Sequence, residues 1–331
     1  MSTSFKAIVA RKNAEGEFSA ALETLDMADL PDEPVLVDIE YSTVNYKDGL
    51  AVTNAAPICQ KFPMVCGIDL AGTVAESNVV EWQVGDKVLV NGYGLSERHW
   101  GAYSQKQRVN PDYLVRIPAA FTTEEAMAIG TAGYTAMLAV NAIRDHGTKP
   151  EDGPVLVTGS AGGVGSVSIL LLARLGYEVV ASTGRPETES YLRSLGASRI
   201  IAREELAKKA KPLEAELWAA TVDSVGSTTL ATALAQTRYR GVVAACGLAG
   251  GPDLPGTVIP FLLRNVRLQG IDSVMAPMAD RQRAWHDLAQ LLDPQRLKDV
   301  YQVEPLGRVP ELAAAILRGE IKGRVVIDVN A

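Results

Sequence analysis

The 331 residues are enough for about two domains at roughly 150 residues each, so a large buried core is available. Lys and Arg number 32 against 39 Asp and Glu, a net charge of −7, which leaves no basic footprint for a nucleic-acid partner. Apolar residues at 47% and charged residues at 21% match soluble globular proteins and exclude a disordered or fibrous chain.

The opening twelve residues lack the apolar core of a signal peptide, and the longest apolar stretch, near 167–173, is too short to cross a bilayer. The expectation is a cytoplasmic protein with no membrane partner. Cys59, Cys66 and Cys246 form no CxxC pair, so neither a disulfide framework nor a zinc knuckle is encoded, and they read as small buried apolar residues. There is no fixed-period repeat and no low-complexity segment.

Residues 1–123 carry short strand-like runs between turn signals, which predicts a partly closed β domain. Strands are expected at 35–41, 72–75, 87–90 and 114–117, the third introduced by the turn residues Gly85-Asp86. From 123 to 143 the pattern becomes helical, with Thr122 or Thr123 as N-cap and Glu124 and Glu125 in the first turn, where they complement the helix dipole.

Over 124–273 strand and helix alternate as in a doubly wound parallel sheet. Six strands are predicted, at 155–158, 178–182, 199–201, 219–223, 241–246 and 267–271, with helices at 164–175 and 188–195 among the connections. Residues 274–331 read as helices near 283–292 and 310–317 and a strand at 324–329, a segment expected to return to the N-terminal domain.

The run Thr158-Gly159-Ser160-Ala161-Gly162-Gly163-Val164-Gly165 follows the first of those six strands and opens the next helix. Glycines let a backbone approach a pyrophosphate closely, and free N–H groups at a helix start face its charge. Ser160, Gly162, Gly163, Val164 and Gly165 are therefore candidate dinucleotide contacts. A site for NAD carries an acidic residue about 20 positions on, at the end of the second strand. Here Ser182-Thr183-Gly184-Arg185 stands there, two hydroxyls and a guanidinium suited to the 2′-phosphate of NADPH. Arg203 is a further candidate for that phosphate or for the adenine face. At the carboxyl ends of later strands, where open α/β sheets bind ligands, Gly247, Leu248, Ile271 and Ser273 are candidates for the nicotinamide end, Leu248 as an apolar wall.

Together these segments resemble the medium-chain dehydrogenase/reductase superfamily over nearly the whole chain. Val44-Asn45-Tyr46-Lys47-Asp48, Gly67-Ile68-Asp69-Leu70-Ala71-Gly72, Val84-Gly85-Asp86-Lys87-Val88 and the Gly162–Gly165 turn carry the likeness. In its zinc alcohol dehydrogenases the first two segments supply a Cys and a His ligand, whereas this chain has Asn45 and Ile68. His99, His146 and His286 are too scattered to replace them. The chain is most similar to the zinc-free quinone-oxidoreductase-like branch, and within it to NADPH-dependent acrylyl-CoA reductases, on 45–48, 97–101, 130–138, 246–251 and 264–273.

The resemblance implies a GroES-like partly closed β-barrel beside a six-stranded Rossmann sheet, with NADPH as cofactor and no metal. The implied reaction is reduction of acrylyl-CoA to propanoyl-CoA, hydride to the β-carbon and a proton to the α-carbon, during acrylate or dimethylsulfoniopropionate breakdown. An NADPH quinone oxidoreductase and a non-enzymatic NADPH-binding protein are the alternatives. Tyr46 is a candidate to donate the proton, to bond the nicotinamide ribose, or simply to pack beside the cofactor. Asn45 either orients the thioester oxygen or serves as a turn residue, and Arg324 is either a cofactor contact or part of a surface turn. Lys47, Lys61, Arg98, Arg108, Arg264 and Arg267 are available for the phosphates of coenzyme A, and the 267–271 edge strand suggests a homodimer.

Overall fold

The computed structural model describes residues 3–331 and divides into two compact units. The first holds the chain up to Thr131, Ser273–Ala289 and Leu297–Ala331; the second holds Ala132–Asp272 and Gln290–Arg296. The first division therefore falls eight residues beyond position 123, inside a helix.

In the first unit β1 (Ser4–Lys12) pairs antiparallel with β2 (Phe18–Asp26). Strand β3 (Val35–Thr43) leads to the short helix α1 (Tyr46–Thr53). Then follow β4 (Met64–Val65), β5 (Asp69–Ser77), β6 (Lys87–Asn91), β7 (Lys106–Val109) and β8 (Val115–Arg116). β4 joins β1, and β3 pairs with both β5 and β7. Inward residues such as Ile8, Val37, Ile39, Leu70 and Val90 fill the core between them.

Helix α2 (Thr123–Asp145) begins on Thr122, one of the two N-cap candidates, in a capping box: Thr122 Oγ1 accepts the Glu125 N–H at 3.1 Å, and the Glu125 carboxylate accepts the Thr122 N–H at 2.8 Å. It is long and apolar enough to cross a membrane, with a mean hydropathy of 1.4, a stretch the reading of 167–173 as longest overlooked. Its apolar window is 83% buried within the protein, as in a core helix.

The second unit contains β9 (Val155–Val157), α3 (Gly163–Arg174), β10 (Val179–Thr183), α4 (Glu189–Leu195), β11 (Arg199–Ala202), β12 (Trp218–Asp223), α5 (Ser227–Gln236), β13 (Thr237–Ala245), α6 (Ile259–Arg264) and β14 (Arg267–Gly270). All six strands are parallel, in the order β11-β10-β9-β12-β13-β14. This is the doubly wound order 3-2-1-4-5-6, whose strand order reverses beside β9 and puts the β9–α3 turn at the ligand-binding position.

The chain then runs through α7 (Met278–Leu291), α8 (Pro294–Leu297), β15 (Tyr301–Pro305), α9 (Val309–Leu317) and β16 (Arg324–Asp328). β16 pairs antiparallel with β3, so the end of the chain completes the sheet of the first unit. The three cysteines are free.

Candidate active site

Beneath the start of α1 lies a buried polar network. Asn45 is the N-cap, and Asp48, three residues on, accepts its backbone N–H at 2.9 Å, a reciprocal that holds the first turn. The other Asp48 oxygen accepts the Ile68 N–H at 3.0 Å. Asn45 Nδ2 donates to Asp48 at 3.0 Å and to Asp69 at 2.8 Å, while Asp69 also accepts from Asn91 Nδ2 at 2.8 Å and from the Thr131 N–H at 2.9 Å. Both carboxylates are fully buried.

One cation answers these two acids. Arg324 donates to Asn45 Oδ1 at 3.2 Å, to the Val44 and Ala128 carbonyls at 3.1 and 3.2 Å, and to Thr43 Oγ1 at 2.7 Å. Its approach depends on Gly130, which breaks α2 at φ 51°, ψ −162°; a Cβ there would lie 2.6 Å from Arg324 Nη2 and 2.7 Å from Thr43 Cγ2. Burial, reinforced by the charge of Asp69, pushes the Asp48 carboxyl up to about 7, against the N–H bonds it accepts. Burial and the same two acids push the Tyr103 hydroxyl, which donates to the Thr43 carbonyl at 3.1 Å, well above its ordinary range.

Tyr46, the first residue of α1, stands directly after this network. It is 42% exposed, and its hydroxyl has no protein partner among the described residues.

In the second unit the β9–α3 turn is shaped for a phosphate. The first i→i−4 bond of α3 runs from the Ser166 N–H to the Gly162 carbonyl at 2.9 Å, so the N–H groups of Gly163 and Val164 make no intrahelical bond. A Cβ on Gly162 would meet only the Gly159 carbonyl oxygen, at 3.3 Å, so the mouth of the turn is open. A Cβ on Gly165 would lie 2.5 Å from both Gly159 O and Ser160 Cα, so only glycine lets α3 pack this tightly on the turn. At the end of β10, Thr183 Oγ1 accepts the Arg185 N–H at 3.0 Å, and the Arg203 guanidinium lies against Gly184. These residues fit a dinucleotide with a further phosphate on its ribose.

Two family models match, the alcohol dehydrogenase GroES-like domain over residues 31–119 and the zinc-binding dehydrogenase over 163–293. The acrylyl-CoA reductase AcuI of Ruegeria pomeroyi is 54% identical, across 99% of this chain and all of its own. A crystal structure of Escherichia coli K-12 YhdH with bound NADPH superposes with a TM-score of 0.95 at 47% identity, covering 98% of this chain and 100% of that one. The putative quinone oxidoreductase YhfP of Bacillus subtilis is 42% identical over 99% of both chains.

The chain belongs to the AcuI family of the medium-chain dehydrogenase/reductase superfamily.

The zinc in the family model's description does not fit this AcuI-family site. Asn45 and Ile68 offer neither thiolate nor imidazole, Asp48 and Asp69 already accept N–H bonds, and among the described residues no group of three or more His, Cys, Asp or Glu is placed to hold a metal.

Several site residues sit otherwise than expected. Both amide hydrogens of Asn45 are engaged by Asp48 and Asp69, so they are not available to a thioester oxygen; it is the cap of α1. Arg324 is 3% exposed, and its donors serve the interior network rather than a ligand or a surface turn. Ser160 is fully buried, with its hydroxyl on the Val157 carbonyl at 2.7 Å, because the turn needs that bond to leave β9. Ser273 is separated from Ile271: it falls in the first unit, where its carbonyl accepts Arg281 at 3.2 Å, whereas Ile271 extends the sheet of the second through its N–H to the Ala245 carbonyl at 2.9 Å. Gly247 follows β13 against the Ser224 backbone, and Leu248 is exposed.

Sequence reasoning gave Asp69, Asn91 and Thr131 no role. Asp69 lies in a quoted family segment, and an acid in an otherwise apolar strand start was the available signal.

Proposed function

We propose that this AcuI-family chain reduces the C=C bond of acrylyl-CoA to propanoyl-CoA with NADPH, adding hydride at the β-carbon and a proton at the α-carbon. The observation that carries the substrate is the likeness to AcuI along the entire chain. NADPH, when bound, supplies the hydride. The N–H groups of Gly163 and Val164 hold its pyrophosphate at the start of α3. Thr183, Arg185 and Arg203 hold its 2′-phosphate through charge-assisted bonds. Gly247, Leu248 and Ile271 flank the nicotinamide end at the carboxyl ends of β13 and β14. Tyr46 holds the transferable proton on its hydroxyl, and the Asn45–Asp48–Asp69–Arg324 network fixes the helix that presents it. The developing enolate is held by hydrogen bonds rather than by a metal ion.

The protein acts in the cytoplasm as a homodimer. Edge strand β14 is unpaired on one side, and beside it Val258, Leu262 and Leu263 are exposed, an apolar surface suited to a second copy. Its role is to remove a reactive electrophile formed in acrylate or dimethylsulfoniopropionate breakdown.

The likeness to YhfP favours quinone reduction as the second reading. Steady-state kcat/KM for acrylyl-CoA, crotonyl-CoA and a benzoquinone, each with NADPH and NADH, separates the two. Acrylyl-CoA with NADPH is expected to lead; a preference for the quinone by orders of magnitude overturns the assignment, and NADPH binding without any turnover returns the protein to a binding role.

A further inference from the structure

An acyl-CoA brings phosphate groups as well as a thioester, and the structure sorts the basic residues that could meet them. Lys47 is ion-paired with Glu97, and Arg108 with Glu76 at 2.5 Å. Arg264 donates to the Ala235 and Thr237 carbonyls at 2.9 and 3.2 Å and faces Glu216 at 3.5 Å. Of the six basic residues considered from the sequence, this leaves Lys61 and Arg98 in the first unit, both exposed and without a carboxylate partner among the described residues.

The backbone brings these two together. The Gln60 N–H donates to the Glu97 carbonyl at 2.9 Å, so Lys61 and Arg98, each the next residue along, flank a single inter-loop hydrogen bond. The loop carrying Arg98 is tightly wound: the N–H groups of Glu97, Arg98 and His99 all point at the Gly94 carbonyl at 3.0–3.1 Å. The Lys47–Glu97 pair ties this loop to the first turn of α1, beside Tyr46. Lys61 also lines a small cavity with Glu33, His99, Trp100 and Tyr113, the last already stacked on Tyr93 at 4.4 Å.

We propose that Lys61 and Arg98 form the phosphate subsite for the nucleotide end of the coenzyme A thioester. The proposal rests on the acrylyl-CoA reading above. Two like charges on neighbouring loop positions, with Glu97 between them already committed to Lys47, gain by accepting an anion.

The test compares acrylyl-CoA, acrylyl-dephospho-CoA and acrylyl-pantetheine at saturating NADPH, in the full-length protein and in Lys61→Ala, Arg98→Ala and the double variant. With acrylyl-CoA, KM is expected to rise about fivefold for each cation removed, with kcat within about twofold. The dephospho substrate assigns the loss to the 3′-phosphate or to the diphosphate, and Lys61→Arg should retain wild-type KM. With acrylyl-pantetheine the variants should match wild type and KM for NADPH should not move. Equal losses on CoA and pantetheine thioesters, or no loss on either, overturn the subsite. Calorimetry with free coenzyme A reads the same site without turnover. If wild type reduces no thioester yet binds coenzyme A through these two residues, the reaction assignment fails and the subsite stands; if coenzyme A binds neither wild type nor variant, the subsite fails.

Discussion

Asp48 and Asp69 share one amide nitrogen: Asn45 Nδ2 lies 3.0 Å from the first carboxylate and 2.8 Å from the second. With Arg324 as the guanidinium bonded to Asn45, the charges around the two acids balance best when one acid keeps its proton, and Asp48 is the acid pushed up to about 7. The folded protein therefore holds a proton there that the unfolded chain releases near pH 4. This group favours folding most below pH 4, and its contribution is lost as pH rises through 7. Urea unfolding at pH 5, 6, 7, 8 and 9 should show wild type losing stability relative to Asp48→Asn from pH 5 through 7, with the difference levelling off above about pH 8. A difference independent of pH would contradict the shared-proton account.

Gly130 lets Arg324 reach this network. Gly130→Ala forces φ 51° on a residue with a Cβ that would lie 2.6 Å from the Arg324 guanidinium, so the strained backbone alone costs about 1–3 kcal/mol. Chemical denaturation should show at least that loss, with weakened turnover because α1 is displaced. An unchanged midpoint would mean that α2 does not need the break.

Cofactor choice rests on Arg185 and Arg203. Arg185→Ala should raise KM for NADPH by about tenfold or more and leave KM for NADH nearly unchanged, since only the former has a 2′-phosphate to lose. Arg203→Ala should act in the same direction. Equal effects on both dinucleotides would refute a phosphate contact.

Tyr46→Phe separates the roles open to this residue. If the hydroxyl supplies the proton, kcat falls about 100-fold while KM for NADPH stays within about threefold. A rise in KM for NADPH with kcat kept would instead place the hydroxyl on the cofactor, and no change would leave the ring as packing alone.

The second unit was the more legible in sequence because each of its strands is short, apolar and closed by turn residues: 155–158 and 199–201 differ from β9 and β11 by one residue at one end. β2 went unassigned because Phe18-Ser19-Ala20-Ala21-Leu22-Glu23 is rich in helix formers; nine cross-strand pairs with β1 override that propensity. The break at Gly130 is hidden in an apolar helical run, since periodicity does not report φ. The roles of Asn45 and Arg324 were out of reach for a different reason: the two residues are 279 positions apart in the chain and meet only when β16 pairs with β3.

The most direct test of the central claim is the fate of the reducing hydrogen. With acrylyl-CoA and NADPH dideuterated at nicotinamide C4, in ordinary water, NMR of the propanoyl-CoA formed should place a single deuterium on the β-carbon and solvent hydrogen on the α-carbon. Deuterium on the α-carbon, or none in the product, would contradict direct hydride delivery to the alkene.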